Sequence, residues 1–523
     1  MASTDVTTPD QNQDHPDAQS DQDITGERAA LIPNTTLRAA FETGLIVAGL
    51  LAICFFLPHH ILGDGILRFQ AISLLLEHGK LSAMPYSMVG PAFSIPFWLL
   101  GKLFMTPAWW ISRYNLFVFA IGLLVLYFLL RNRMDRGLIR TFFLVLIVAS
   151  MFANHLLDYY GEVFTAILVA VGIVLFMTGR SLAGWSTVVL GVINTPASIV
   201  ALGCVVLKRA LDDKRWRYIL AFGAACGLIL LEYRIRRGSF SLGGYDNYVN
   251  PAHTVMPYSG KPGFSYPFFF GLLSILFSFG KGLFFFAPGL LLPVRGLIRR
   301  IRASLKKDLI PTGNVPSNGP CQRDCVATDC VRQARPKAVL RASAAHSSGR
   351  IGSIDLYSMY LLWIGFLVGL VLVYSPWWAW YGGVSWGPRF FLFASIPASF
   401  ALALRLRYRS RSLFVNVLTT VVFCLSLWVG INGALFDQQG LNICTANYYA
   451  LEFVCHYTLE YSVLWHPFVA HESIPIQELP YLAYSLIVFI YLALPLLKDL
   501  LTQVVLKMDD LTTSYFNFKL WHF

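Results

Sequence analysis

Charged residues are scarce in this chain of 523 residues. Asp, Glu, Lys and Arg together make up 13% of it, about half the roughly 25% of an average soluble domain. With 56% hydrophobic residues and a mean hydropathy of +0.57, that shortage excludes an ordinary soluble globular protein. Acidic residues are scarcer still, 29 against 41 lysines and arginines. The resulting +12 is not a nucleic-acid signal, because the basic residues sit between apolar runs, where they set orientation. No nucleic-acid partner is expected. The nine cysteines are too scattered for a dense disulfide framework. Cys54, Cys204, Cys226 and Cys424 lie in apolar runs as packing residues. Cys321, Cys325 and Cys330 share a polar loop, at a spacing that fits no zinc pattern. Cys444 and Cys455 share another loop and can pair if it faces an oxidising compartment. An apolar leader is also lacking, so no cleavable signal peptide is expected. Residues 1–36 read as a disordered acidic cytoplasmic tail.

What is present is a series of apolar runs of membrane-spanning length joined by short polar segments. The fold class is an all-α polytopic membrane protein. The first span is expected at 43–58. The run 91–105 is broken by Pro91 and Pro96 and reads as an interfacial or re-entrant helix. Spans at 114–130 and 138–155 flank Arg131, Arg133, Arg136 and Arg140, which belong on the cytoplasmic side. The segment 185–207 has basic flanks at both ends yet is too short for two full spans. A broken hairpin is expected there, turning at Asn194-Thr195-Pro196. The layout is a transmembrane module over 37–293 with a first outer loop at 59–96, then a basic, partly disordered cytoplasmic loop over 294–355. A second transmembrane region over 356–500 carries outer loops at 375–389 and 431–480, and 501–523 is an amphipathic tail. The count is roughly ten full spans plus the hairpin, with both termini cytoplasmic and the chain in the inner or plasma membrane.

On this map the polar residues of interest share the extracytoplasmic face. The loop after the first span carries His59 and His60, then Asp64 between Gly63 and Gly65, then Arg68 and Tyr86. A solvated Gly-Asp-Gly turn is the alternative for this stretch. Asp158 and Glu162 follow a later span. Lys281 starts another, and Arg389 another, after the segment SPWWAWYGGVSWGPR. A lipid-phosphate sugar is a donor available on that face. Its phosphate leaving group needs cations more than a proton, so one carboxylate base suffices. Arg68, Lys281 and Arg389 are the candidate phosphate ligands. His60, Tyr86, Trp378, Tyr381 and Trp386 are candidate substrate-lining residues, although interfacial aromatic belts are the usual origin of such residues.

The order of these motifs resembles the GT-C superfamily of polyprenyl-phosphate-sugar-dependent glycosyltransferases, which includes protein O-mannosyltransferases and the lipid A aminoarabinose transferase. GDGILRFQAISLLLEHG resembles the first outer loop that carries the family's catalytic aspartate, a role that falls on Asp64. PAFSIPFWLLGKLF resembles the short helix that follows it. LLDYYGEVFTAIL resembles the second acidic position, on Asp158 or Glu162. GVINTPASIVAL resembles the hairpin whose turn often carries Lys-Pro; here Asn194 and Thr195 precede Pro196. SFGKGLFFFAPGLLL and WYGGVSWGPRFFLFASIP put Lys281 and Arg389 at basic family positions. The resemblance implies a GT-C-like bundle of about 10–13 membrane helices, inverting transfer to an acceptor hydroxyl, and a protein, glycan or lipid acceptor. Many relatives carry an acidic pair in the first loop where this chain has Asp64 alone; a divalent metal is left open as a cofactor, with no metal-ligand set assigned. The competing reading is a transporter or flippase for a lipid-linked or small solute, which calls for ionisable residues deep in the spans. A non-catalytic assembly subunit is a second.

Overall fold

A computed structural model describes residues 26–238, 240, 263–299, 301, 354–383, 385–436, 443–444, 451–471 and 473–520. Cys321, Cys325, Cys330 and most of the 294–355 loop lie outside them. Helix makes up 74% of the structure, and the described residues contain no strand. Among the described residues, six helices are long and apolar enough to cross a membrane. The architecture is that of a multi-pass membrane protein in which each segment satisfies its own backbone.

Helix α1 (Thr35–Phe56) starts earlier than the apolar run suggested, because Asn34 caps it by accepting from the N–H groups of Thr36 and Leu37. Its 22 residues reach about 33 Å, enough to cross. Helix α2 (Asp64–His78) follows and ends at Gly79 in the left-handed region. Two short helices, α3 (Val89–Phe93) and α4 (Ile95–Leu103), fill the stretch broken by prolines and do not span. Helices α5 (Tyr114–Leu130), α6 (Arg136–Val148) and α7 (Glu162–Met177) come next. Helix α8 (Ser181–Asn194) then packs back along α7, with Trp185 stacked on Phe176 at 4.6 Å. Gly172 and Gly184 leave no room for a Cβ between these two helices.

The expected hairpin is present. Helix α9 (Ile199–Asp213) runs back from a turn at Asn194, Thr195 and Pro196. Tyr218, just past its end, lies 5.4 Å from Trp185, near the start of α8. Helices α10 (Ile219–Arg237), α11 (Phe268–Phe277), α12 (Leu356–Tyr374), α13 (Ser395–Arg407), α14 (Leu413–Leu435) and α15 (Leu479–Leu520) complete the bundle. Among the described residues, six helices have full spanning length, against roughly ten spans read from hydropathy; α5, α7, α8 and α11 are shorter apolar helices. Protein rather than lipid covers much of the interior, so a short helix is tolerated there. The span Arg389–Arg407 is the central one, 89% buried against 22% for α1. The last helix runs on to Leu520 where a separate tail was expected.

The bundle has two distinct ends. At one, arginines and carboxylates tie helices together. Glu42, fully buried in α1, bonds Arg38 at 2.8 Å, Arg140 of α6 at 2.5 Å and the Tyr491 hydroxyl of α15 at 2.8 Å. Arg28 pairs with Asp499 at 2.7 Å and donates to Asn416 and to the carbonyl of Arg405. Arg407 reaches Asp135 and Glu27. The 1–36 stretch is therefore ordered by residue 27: Arg28 is buried, and its N–H bonds the carbonyl of Arg407. At the other end lie the loops that follow α1, α6 and α8 and the residues that lead into Arg389.

Candidate functional site

Gly63 has φ +50°, a conformation that favours glycine, and it turns the chain so that Asp64 opens α2. A carboxylate is favoured at a helix N-terminus. Asp64 Oδ1 accepts a hydrogen bond from the Tyr86 hydroxyl at 2.6 Å. Its Oδ2 forms an ion pair with Arg389 Nη2 at 2.9 Å. The Asp64 side chain is 20% exposed and that of Arg389 12%. The first loop and the tryptophan-segment arginine thus meet, as the shared sidedness of their motifs suggested.

Arg68 sits one helical turn after Asp64 and so on the same side of α2. It is buried, with its guanidinium 5.3 Å from the centre of the Tyr86 ring. Its Nε and Nη1 have no hydrogen-bond partner among the described residues. Gly161 presses on it from the other side; a Cβ there would meet Arg68 Nη2 at 2.6 Å. Arg389 lies 5.2 Å from the centre of the neighbouring Tyr160 ring. Burial, then the Asp158 charge, pushes the Tyr160 phenol up, so it stays protonated.

The 158–162 segment is held against the first loop. His60 donates its backbone N–H to the carbonyl of Leu157 and pairs with Asp158 as a one-residue parallel bridge. Asn115 donates to the carbonyls of Asp158 at 2.6 Å and Tyr160 at 2.9 Å. Asn194, at the hairpin turn, donates to the carbonyl of Gly161 and accepts from the N–H of Gly90. Asn115 escaped the sequence reading; its signal was an amide inside an apolar run. Asn194 fastens two loops together. Asp158 and Glu162 both lie within electrostatic reach of Tyr160, and Glu162 within reach of Arg389.

Three sequence candidates sit elsewhere in the packing. Lys281 is buried and donates to the carbonyls of Gly383 at 3.1 Å, Ser385, and Gly387 at 2.9 Å. Its ammonium group shapes the loop that delivers Arg389. Trp386 is buried; its indole donates to Asn432, and its ring meets Phe286 and His155. Tyr381 is also buried, 4.9 Å from the His456 ring. In the structure their aromatic faces are covered by protein. The sequence could not tell an inward ring from an open one. Trp378 is half-buried beside Trp377, and its backbone N–H donates to the carbonyl of Gly263.

His59 donates from Nε2 to the carbonyl of Ile53 at 3.0 Å. Burial, with Arg113 nearby, lowers it to about 4, so it is neutral at pH 7. Cys444 and Cys455 form a disulfide. Among the described residues no group of three or more His, Cys, Asp and Glu side chains could hold a metal ion. The arrangement is a partly open carboxylate paired with one arginine, with a second, buried guanidinium one turn away. Such a site can accept a proton and hold an anion side by side. No known protein family, characterised protein or solved structure matches this chain.

Proposed function

We propose that this chain is a GT-C-like membrane glycosyltransferase that uses a polyprenyl-phosphate-linked sugar. The observation that carries the reading is the Asp64–Arg389 ion pair, with Tyr86 as the second ligand of the carboxylate. In this reading the acceptor hydroxyl gives its proton to Asp64 while its oxygen bonds to the anomeric carbon. The bond from that carbon to the phosphate oxygen breaks on the opposite face, and the anomeric configuration inverts. The lipid phosphate leaves with its negative charge facing Arg389 and Arg68. Arg389 serves twice: it pairs with Asp64 before the donor arrives, and it turns toward the phosphate when the donor binds. That exchange releases a carboxylate oxygen for the acceptor. In this reading this end of the bundle faces away from the cytoplasm and both termini lie inside it, an orientation that the basic loops support.

The test is transfer by purified Asp64→Asn with a polyprenyl-phosphate sugar. An amide keeps the shape but takes up no proton, so the rate should fall by roughly two or more orders of magnitude while donor binding survives. Transfer at the wild-type rate would reduce Asp64 to a turn residue.

A further inference from the structure

Tyr86, which bonds Oδ1 of Asp64, sits in residues 79–88, a stretch with neither helix nor strand. Such a stretch lacks the backbone partners that a regular element supplies. The last turns of α10, some 150 residues later in the chain, provide them. Arg236 Nη1 donates to the carbonyls of Ser82 at 3.1 Å and Met84 at 3.0 Å, and Arg237 Nη2 donates to that of Met84 at 2.8 Å. Glu232, one turn before Arg236, accepts from the backbone N–H of Met88 at 2.9 Å through Oε1 and from Arg236 Nη2 at 3.0 Å through Oε2. Met84 and Met88 each stand two residues from Tyr86. One ion pair thus grips the backbone on both sides of the tyrosine. An arginine at the end of a span ordinarily extends outward as an anchor. Arg236 is instead buried and turned onto the loop.

We infer that Glu232 and Arg236 are positioning residues for the transfer, acting through Tyr86 on the Asp64 carboxylate. The inference rests on the glycosyltransferase reading. In that reading Arg389 leaves Asp64 for the phosphate, and Tyr86 is the ligand that stays. A carboxylate held at Oδ1 keeps its other oxygen aimed at the acceptor hydroxyl while the proton moves. The hold is only as firm as the loop that carries the tyrosine, and that loop is fastened from α10. The chemistry calls for arginine at 236. Its planar fork serves the loop carbonyls and Glu232 together, whereas a lysine ammonium is a compact point charge on a flexible stem.

The experiment uses the full chain, purified in detergent, with Arg236→Lys made in the wild type and in Tyr86→Phe. Hydrogen exchange of residues 79–88 is followed by mass spectrometry without substrate, and kcat and KM are measured with a polyprenyl-phosphate sugar. Lysine keeps the charge beside Glu232 and loses the fork. Exchange should quicken in 79–88 and not in α2. The kcat should fall about tenfold or more, with KM for donor changed less than about twofold. In Tyr86→Phe the same lysine should cost less than about twofold further, because the contact it supports is already gone. Should Arg236→Lys fail to fold, Glu232→Gln replaces it, since the amide still accepts from Met88 and no longer pairs with Arg236. Equal losses in both backgrounds would show that Arg236 acts other than through Tyr86, and faster exchange with unchanged kcat would leave the pair a loop anchor; either overturns the inference. A wild type that transfers no sugar from such donors overturns the glycosyltransferase reading instead. Exchange then tests the grip by itself, and unchanged exchange in Arg236→Lys refutes it.

Discussion

Glu42 and Asp64 lie at opposite ends of the same bundle and show what an ionised carboxylate is for in each place. Glu42 has no exposed side-chain surface and accepts from Arg38, Arg140 and Tyr491, so its charge joins three helices. Asp64 keeps a fifth of its surface open and accepts from Tyr86 and Arg389, which come from a loop and from the start of a span. A saturated carboxylate with no route to water holds structure together. A carboxylate with one arginine, one phenol and an open side can exchange partners and take a proton. Burial and donor number separate the two, not residue type.

The sharpest way to break this comparison is to remove each charge in turn. Asp64→Asn should lower transfer by roughly two or more orders of magnitude and leave the melting temperature near wild type. Glu42→Ala should do the reverse. It strands Arg38 and Arg140, and breaking a buried pair in this way costs about 3–5 kcal/mol. Thermal unfolding in detergent would show that loss, while the fraction that stays folded keeps its turnover. If Glu42→Ala abolishes transfer without loss of stability, the division into a working end and a holding end is wrong.

Lys281 sharpens the comparison at the site end. It resembles Arg389 in the sequence, a cation at the start of an apolar segment. The structure gives it three backbone carbonyls of the 383–387 loop instead of a carboxylate. Lys281→Met should leave those carbonyls short of donors, at about 1–3 kcal/mol for each one left unsatisfied. The expected readout is a lower melting temperature together with a higher KM for donor, because Arg389 loses its support. A rise in KM with stability intact would return Lys281 to direct phosphate contact.

These cases mark how far the residues could be read before the fold was seen. Hydropathy and basic loops located the long helices. The matched basic flanks of 185–207 exposed the hairpin at Asn194, because one crossing cannot begin and end on one side. Asp64 and Arg389 were legible because glycines and prolines around them signalled special backbone on a shared face. Glu42 was not, since a single carboxylate near the start of an apolar run reads as the edge of a span until its partners on α6 and α15 are known. Asn115 was missed for the same reason. The burial of Trp386 and Tyr381 was not legible, because aromatic residues in a loop are equally compatible with a membrane interface, a sugar platform and a core. Only long-range contacts decide among those, and periodicity does not carry them.

The smallest expected effect concerns His59, which sits just past α1 at the site end, beside Arg113 and two residues before the chain turns inward. Its ring is neutral in the fold, lowered from 6.5 to about 4 chiefly by burial and further by the Arg113 charge. A base whose folded value lies below its unfolded value is stabilising only where it is unprotonated. The contribution is complete above about pH 6.5 and is lost as the pH falls toward 4, because the unfolded chain takes up the proton first. Many groups titrate over that range, so the wild-type curve alone says little. The difference between wild type and His59→Gln isolates this one, since glutamine can still donate to the carbonyl of Ile53 and carries no proton to gain. The melting temperature of the wild type should drop more steeply than that of the variant between pH 6.5 and 4. The gap should be modest, because the ring is only half-buried and water screens part of the Arg113 charge. Parallel curves would mean that His59 titrates as a solvated ring, and that this edge of the site is wetter than the packing around Ile53 and Arg113 indicates.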